Sequence, residues 1–147
     1  MRAIDLVVDY PTVALSSPAI DAARLLATAD LPGLIVVDDQ GQPFAVLPGT
    51  QVLRLAVPAY CQDDPTLARV IDEAAADVFI NELGDRTVRE CLPPQPRELP
   101  VVPPTATVLE MAALMARTRS PLVAVVDRGR LVGAVTLDRL LDRVLGS

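Results

Sequence analysis

Two stretches of this chain are versions of one another, and that limits its folds more than any other feature. Residues 16–38, SSPAIDAARLLATADLPGLIVVD, align without a gap on residues 105–127, TATVLEMAALMARTRSPLVAVVD. Seven of the 23 positions are identical, where composition alone gives roughly two or three. One deleted residue then carries Gly41 onto Gly129 and Leu53 onto Leu141. A further echo, RAIDLVV at 2–8 against TVRECLP at 87–93, reads as the start of each copy. A unit this small cannot cover its own sheet, so the two copies are expected to pack sheet against sheet.

Each copy has the same plan. A short strand is expected around Thr12–Leu15 and again around Leu99–Val102. A helix follows, with apolar residues at helical spacing: Ala19, Ala22, Ala23 and Leu26, or Val108, Met111, Ala112 and Met115. Ser17 with Pro18, and Thr105 or Thr107, supply the helix-start chemistry. Then come a continuous apolar strand ending in Asp38 or Asp127, a Gly turn, a second strand and a second helix. Both strands read as buried on two faces. The fold class is therefore α/β (α+β): two β-α-β-β-α repeats related by a pseudo-twofold axis. Repeat 1 spans 1–60 and repeat 2 spans 86–147. Between them, 61–85 reads as an acidic helical insert. Asp64 suits its N-cap, Pro65 its first turn and Gly84 its stop.

Composition narrows the function. The chain has no His, which removes the commonest general base and the usual partner of a Ser or Cys nucleophile. No nucleophile–base pair or metal cluster is apparent, so the reading is a non-enzyme with no catalytic residues and no metal. Asp38 and Asp127 are better explained as turn residues. Cys61 and Cys91 read as buried thiols of a reducing cytosol. A net charge of −6 argues against nucleic acid. No apolar run is long enough to span a membrane, and the first residues do not read as a secretory signal. A cytoplasmic location follows as an expectation. Residues 92–147 carry seven Arg against five acids, the only stretch with a surplus for an anion.

The segment PLVAVVDRGRLVGAVTLDRLL resembles the cystathionine β-synthase (CBS) domain. The second copy matches that pattern at Pro121, Asp127, Gly129, Gly133 and Thr136. The first matches at Asp38 and Gly41 but has Ala45 and Pro48 where the pattern has Gly and Thr. The resemblance covers nearly the whole chain outside the insert and implies a tandem pair, or Bateman module. Such pairs usually dimerise, bind adenosine nucleotides in their clefts, and regulate an enzyme, channel or transporter. With no such domain in these residues, the regulated partner is expected to be a separate enzyme or transporter. No cofactor is required; AMP, ADP or ATP is the implied ligand.

The resemblance also implies the site. The helix-opening Thr or Ser faces phosphate, and an Asp three residues later holds the ribose. A helix N-terminus favours an anion through its free N–H groups and dipole. In the second cleft Thr136 is present, but Arg139 stands at the Asp position, with Asp138 one residue early. The second cleft is therefore expected to use Val101, Val102, Arg119, Pro121, Leu122, Gly133, Thr136, Asp138 and Arg139. Arg139 would contact phosphate. Thr136 also has a purely structural reading as an N-cap. A weaker first cleft would use Thr12, Val13, Pro32, Gly33, Thr50 and Gln51. The functional expectation is a regulatory, ligand-sensing homodimer that binds an adenine nucleotide weakly. The alternative is a ligand-free dimerisation and interaction module.

Overall fold

The computed structural model describes residues 1–29, 31–56, 63–66, 81, 83–96 and 98–146. Their elements run α1 (Ala3–Leu6), β1 (Thr12–Ala14), α2 (Ala19–Ala29), β2 (Leu34–Val37), β3 (Pro43–Leu47) and α3 (Gly49–Ala56). After these come α4 (Val88–Cys91), β4 (Val101–Val102), α5 (Val108–Thr118), β5 (Leu122–Asp127), β6 (Arg130–Thr136) and α6 (Leu137–Val144). Each repeat thus has the expected β-α-β-β-α order. The strands form two three-stranded sheets, β1-β2-β3 and β4-β5-β6. The parallel pairs are equivalent: Thr12 faces Ile35 as Val101 faces Ala124, and Val13 faces Val36 as Val102 faces Val125.

The chain divides into two compact units. The first comprises Met1–Ala14, Ile35–Val46 and Pro96–Ser147; the second comprises Leu15–Leu34 and Leu47–Gln95. In the first unit, β5 is covered on both faces. Leu122 and Ala124 pack with Ala134, Leu99, Ile35 and Val46, so the two sheets share a core. Val123, Val125 and Val135 point the other way, onto Met111 and Met115 of α5 and Leu140 of α6. This two-sided burial is why the strands read as unbroken apolar runs. Val108 and Ala112 join that packing as expected. Leu114 is also half-buried there, while Leu109 is exposed at 79%. Thr107 is the residue that caps α5, its hydroxyl accepting from Glu110 N at 3.1 Å.

The echoing segments are not the first elements of the repeats they precede. In the first unit, α1 docks on the second repeat. Ala3 N donates to Ala106 O (2.8 Å) and Ile4 N to Pro104 O (3.0 Å), while Arg2 bridges Thr107. In the second unit, α4 docks on the first repeat. Val88 N donates to Ser17 O (2.8 Å) and Arg89 N to Leu15 O (3.0 Å), while Thr87 bridges Pro18. The short helices thus donate to carbonyls of the strand-to-helix bend of the other repeat. Also in the second unit, α2 packs on α3, with Leu26 Cδ1 3.9 Å from where a Gly49 side chain would begin.

The acidic helix expected over 65–83 lies outside the described residues except near its ends, as does Cys61. Asp64 accepts from Thr66 N (3.2 Å) and Thr66 Oγ1 (2.7 Å).

Candidate functional site

The β5–β6 hairpin builds the second-repeat site. Its two-residue turn puts Arg128 at φ 53° and Gly129 at φ 78°, the left-handed pair that matches strand twist. Antiparallel register then sets Leu122 opposite Thr136 and Val125 opposite Gly133. At the open end of the hairpin, Leu137 N donates to Pro121 O (2.9 Å). The Thr136 hydroxyl accepts from Arg139 N at 3.4 Å, so it caps α6. Two of the first three amides of α6 are therefore used internally. The structural reading of Thr136 is realised.

Arg139 has a partner that sequence gave no sign of. Its Nε donates to the carbonyl of Leu6, 133 residues away, at 2.8 Å. Asp138 is exposed on the same turn. Arg119 ends α5 in the left-handed conformation (φ 56°), just before the lining strand. Val101 is exposed and Val102 buried on β4, one strand over from β5. The residues expected for the second cleft spread across the β4-β5-β6 sheet: Val102 on one edge is in register with Gly133 on the other through Val125, while Leu122 and Thr136 pair further along.

Gly133 has its own reason to be glycine. A Cβ there would run into the carbonyl of Val8 and lie 3.1 Å from Val7 Cγ2. Val8 pairs with the next residue of β6: Val8 N donates to Ala134 O (2.9 Å) and Ala134 N to Val8 O (3.0 Å). The N-terminal segment therefore lies against the outer edge of β6.

The residues expected for the first cleft divide between the two units. Thr12 and Val13 stand on β1 in the first. Pro32 and Gly33, in the loop before β2, and Thr50 and Gln51, in the first turn of α3, stand in the second. Gln51 N donates to Pro48 O (3.0 Å), closing that turn without a Thr.

The first unit also contains a groove of about 530 Å³ that takes one residue from each expected set, Thr12 and Gly133. Sequence reasoning missed its other polar groups: Asp9, Tyr10, Gln40, Gln42 and Arg130. One signal was present in the two hairpin turns. Asp38 accepts from Gln40 N and Gln42 N, both at 2.9 Å, and so shapes the first turn as expected. Gln42 Nε2 then donates to Gly129 O at 2.7 Å, tying one hairpin tip to the other. The groove offers a carboxylate, a hydroxyl, amides and a guanidinium against a wall of Val37, Leu131 and Val132. That mixture suits a small molecule with one apolar face and one polar edge. Among the described residues no group of three or more His, Cys, Asp or Glu is placed to hold a metal. No helix among them is long and apolar enough to cross a membrane.

A family model for the CBS domain matches residues 95–146. The crystal structure of a CBS domain-containing protein of unknown function from Kribbella flavida is 54% identical, covers 99% of both chains and superposes with a TM-score of 0.90. The chain belongs to the CBS-domain family. The fold of this CBS pair also resembles that of CBSX2 solved in complex with AMP, at 23% identity over 99% of this chain and 96% of that one (TM-score 0.67). The CBS domain of a CBS domain-containing membrane protein from Sphaerobacter thermophilus is similar too, at 22% identity over 97% and 86% (TM-score 0.72). No curated protein matches the chain.

Proposed function

We propose that this CBS pair is a regulatory ligand-sensing module that binds an adenine nucleotide weakly and controls a separate enzyme or transporter as a cytoplasmic homodimer. The observation that carries the reading is the groove beside β6. Its volume of about 530 Å³ lies within the range of small-ligand sites. The base would lie against Tyr10 and Val37, and the phosphate would point toward the guanidinium of Arg130. Arg139 stands beyond the Val8–Ala134 pair, its guanidinium held on the Leu6 carbonyl. The AMP held by CBSX2, a protein of the same fold, supports the ligand class. The unpaired, buried Cys91 suits a reducing compartment.

Binding is weak for two reasons. The ribose carboxylate that the family resemblance implies is replaced by Arg139. The α6 amides that the resemblance sets against phosphate are largely committed to Thr136 and Pro121. A lost charge-assisted hydrogen bond contributes about 1.5–3 kcal/mol, so affinity falls roughly ten- to a hundredfold. Calorimetry with AMP, ADP, ATP and adenosine tests this on wild type, Asp9→Asn and Arg130→Ala. ATP should bind at millimolar concentration and more tightly than adenosine, with Asp9→Asn weakening every ligand and Arg130→Ala weakening the nucleotides. If none binds at millimolar concentration, the nucleotide reading fails.

A second reading, an interaction module with empty clefts, is favoured by α6. Leu137, Leu141, Val144 and Leu145 repeat at helical spacing and are 39%, 43%, 56% and 77% exposed. In that case pull-down of the regulated protein would be indifferent to nucleotide.

A further inference from the structure

We infer that residues 2–8 form a strap whose docking on the second repeat sets the position of the groove wall formed by Asp9 and Tyr10. The strap is held at its start by Arg2, whose guanidinium donates to Thr105 O (2.8 Å), and by the burial of Ala3 and Leu6 in the α5–α6 core. Its far end has two attachments of another kind. Arg139 grips the Leu6 carbonyl, and Val8 exchanges two backbone hydrogen bonds with Ala134. Gly133 permits that approach, because a side chain there would strike Val8.

The next two residues of the chain are Asp9 and Tyr10, which line the groove across from Arg130–Gly133 of β6. Tyr10 also packs against the core shared by the sheets. One segment of chain therefore carries both the strap and the groove wall, and Gly133 touches both. Displacing Val8 displaces the wall within one or two residues of chain. By thermodynamic reciprocity, a ligand that grips the wall tightens the strap. The inference rests on the proposed nucleotide site only for what fills the groove; the mechanical link belongs to the empty protein as well.

The test is hydrogen exchange and NMR on the whole protein without ligand, comparing wild type, Arg139→Met, Arg139→Gln and Gly133→Ala. Arg139→Met, which has no donor, should speed exchange at the Val8 and Ala134 amides by about tenfold, the effect of one charge-assisted bond. It should also shift the Tyr10 ring resonances. Exchange at Ala3 and Ile4, which are bonded to the other side of the repeat, should not change. Arg139→Gln keeps an amide N–H donor at the position of Nε and should restore most of the protection. Gly133→Ala should reproduce the Tyr10 shift without touching Arg139. Unchanged Val8 exchange in Arg139→Met, or faster exchange with Tyr10 unmoved, overturns the coupling. With ATP added, calorimetric binding without added protection at Val8 also overturns it. Absence of binding defeats the nucleotide reading alone, because the variant comparison judges the strap.

Discussion

Single positions decide much of this chain's stability, and Gly133 is the clearest. Adding one methyl group sets a Cβ against the Val8 backbone, which has no rotamer to yield. Gly133→Ala should therefore cost about 1–3 kcal/mol, read as a lower urea midpoint at unchanged m-value. The first repeat carries Ala45 at the equivalent position. Cys91 gives a pH signature. Burial first, and the nearby Glu90 charge second, raise its thiol pKa above the ordinary 9.0. Its Sγ donates to Thr87 O at 3.6 Å, a contact that needs the proton. The folded state holds that proton more tightly than the unfolded chain does. Stability from this group is complete below the unfolded thiol pKa and declines as pH rises past it. Wild type should lose stability faster than Cys91→Ala between pH 8 and 10, as followed by denaturant midpoints. At this scale the cap and turn residues were legible, because Thr136, Thr107 and Asp38 bond to backbone within four residues. The Arg139–Leu6 bond was not, since nothing local marks a partner 133 residues away.

Among the elements, α1 and α4 are the least expected. Both are four residues long, too short to persist alone. Each is closed by an acid reaching back to the residue before the helix. Asp5 accepts from Arg2 N (2.9 Å) and Glu90 from Thr87 N (3.3 Å). A hydrogen bond from Arg86 is the main reason the Glu90 carboxyl sits below its ordinary pKa, with the Thr87 backbone amide also contributing. A lowered carboxyl pKa stabilises the fold above its unfolded value, and the gain is lost as pH falls through the folded value. Glu90→Gln should flatten the acid limb of the stability profile. The larger contribution to α1 comes from packing. Leu6 is 2% exposed and Ile4 is 54% exposed. Leu6→Ala should cost about 2–4 kcal/mol, while Ile4→Ala should stay within about 0.5 kcal/mol, measured by thermal or urea unfolding. Sequence marked these segments as related through their echo. It did not show which repeat each one serves, because that depends on which carbonyls come within reach once the sheets form.

For the molecule as a whole, the exposed apolar stripe of α6 bears on assembly. Leu141→Glu with Leu145→Glu places two charges on its exposed stripe, leaving the buried Leu140 untouched. In the proposed homodimer this double variant should shift light scattering from twice the 15.6 kDa chain mass to the chain mass itself. Its unfolding midpoint at high dilution should change little. A wild type already monomeric at micromolar concentration would count against the dimer. The sequence alone determined the repeat, the order of elements within it, both hairpin turns and the inward face of α5. Those follow from periodicity, turn chemistry and caps, which act over a few residues and are written in their spacing. Only the tertiary structure decided that α1 and α4 cross to the opposite repeat. It also decided that Arg139 holds a carbonyl, and that the groove takes Asp9 and Tyr10 from one end of the chain and Arg130 from the other. These are pairings between surfaces that exist only after the sheets have packed, when desolvated polar groups take whichever partners geometry brings within reach.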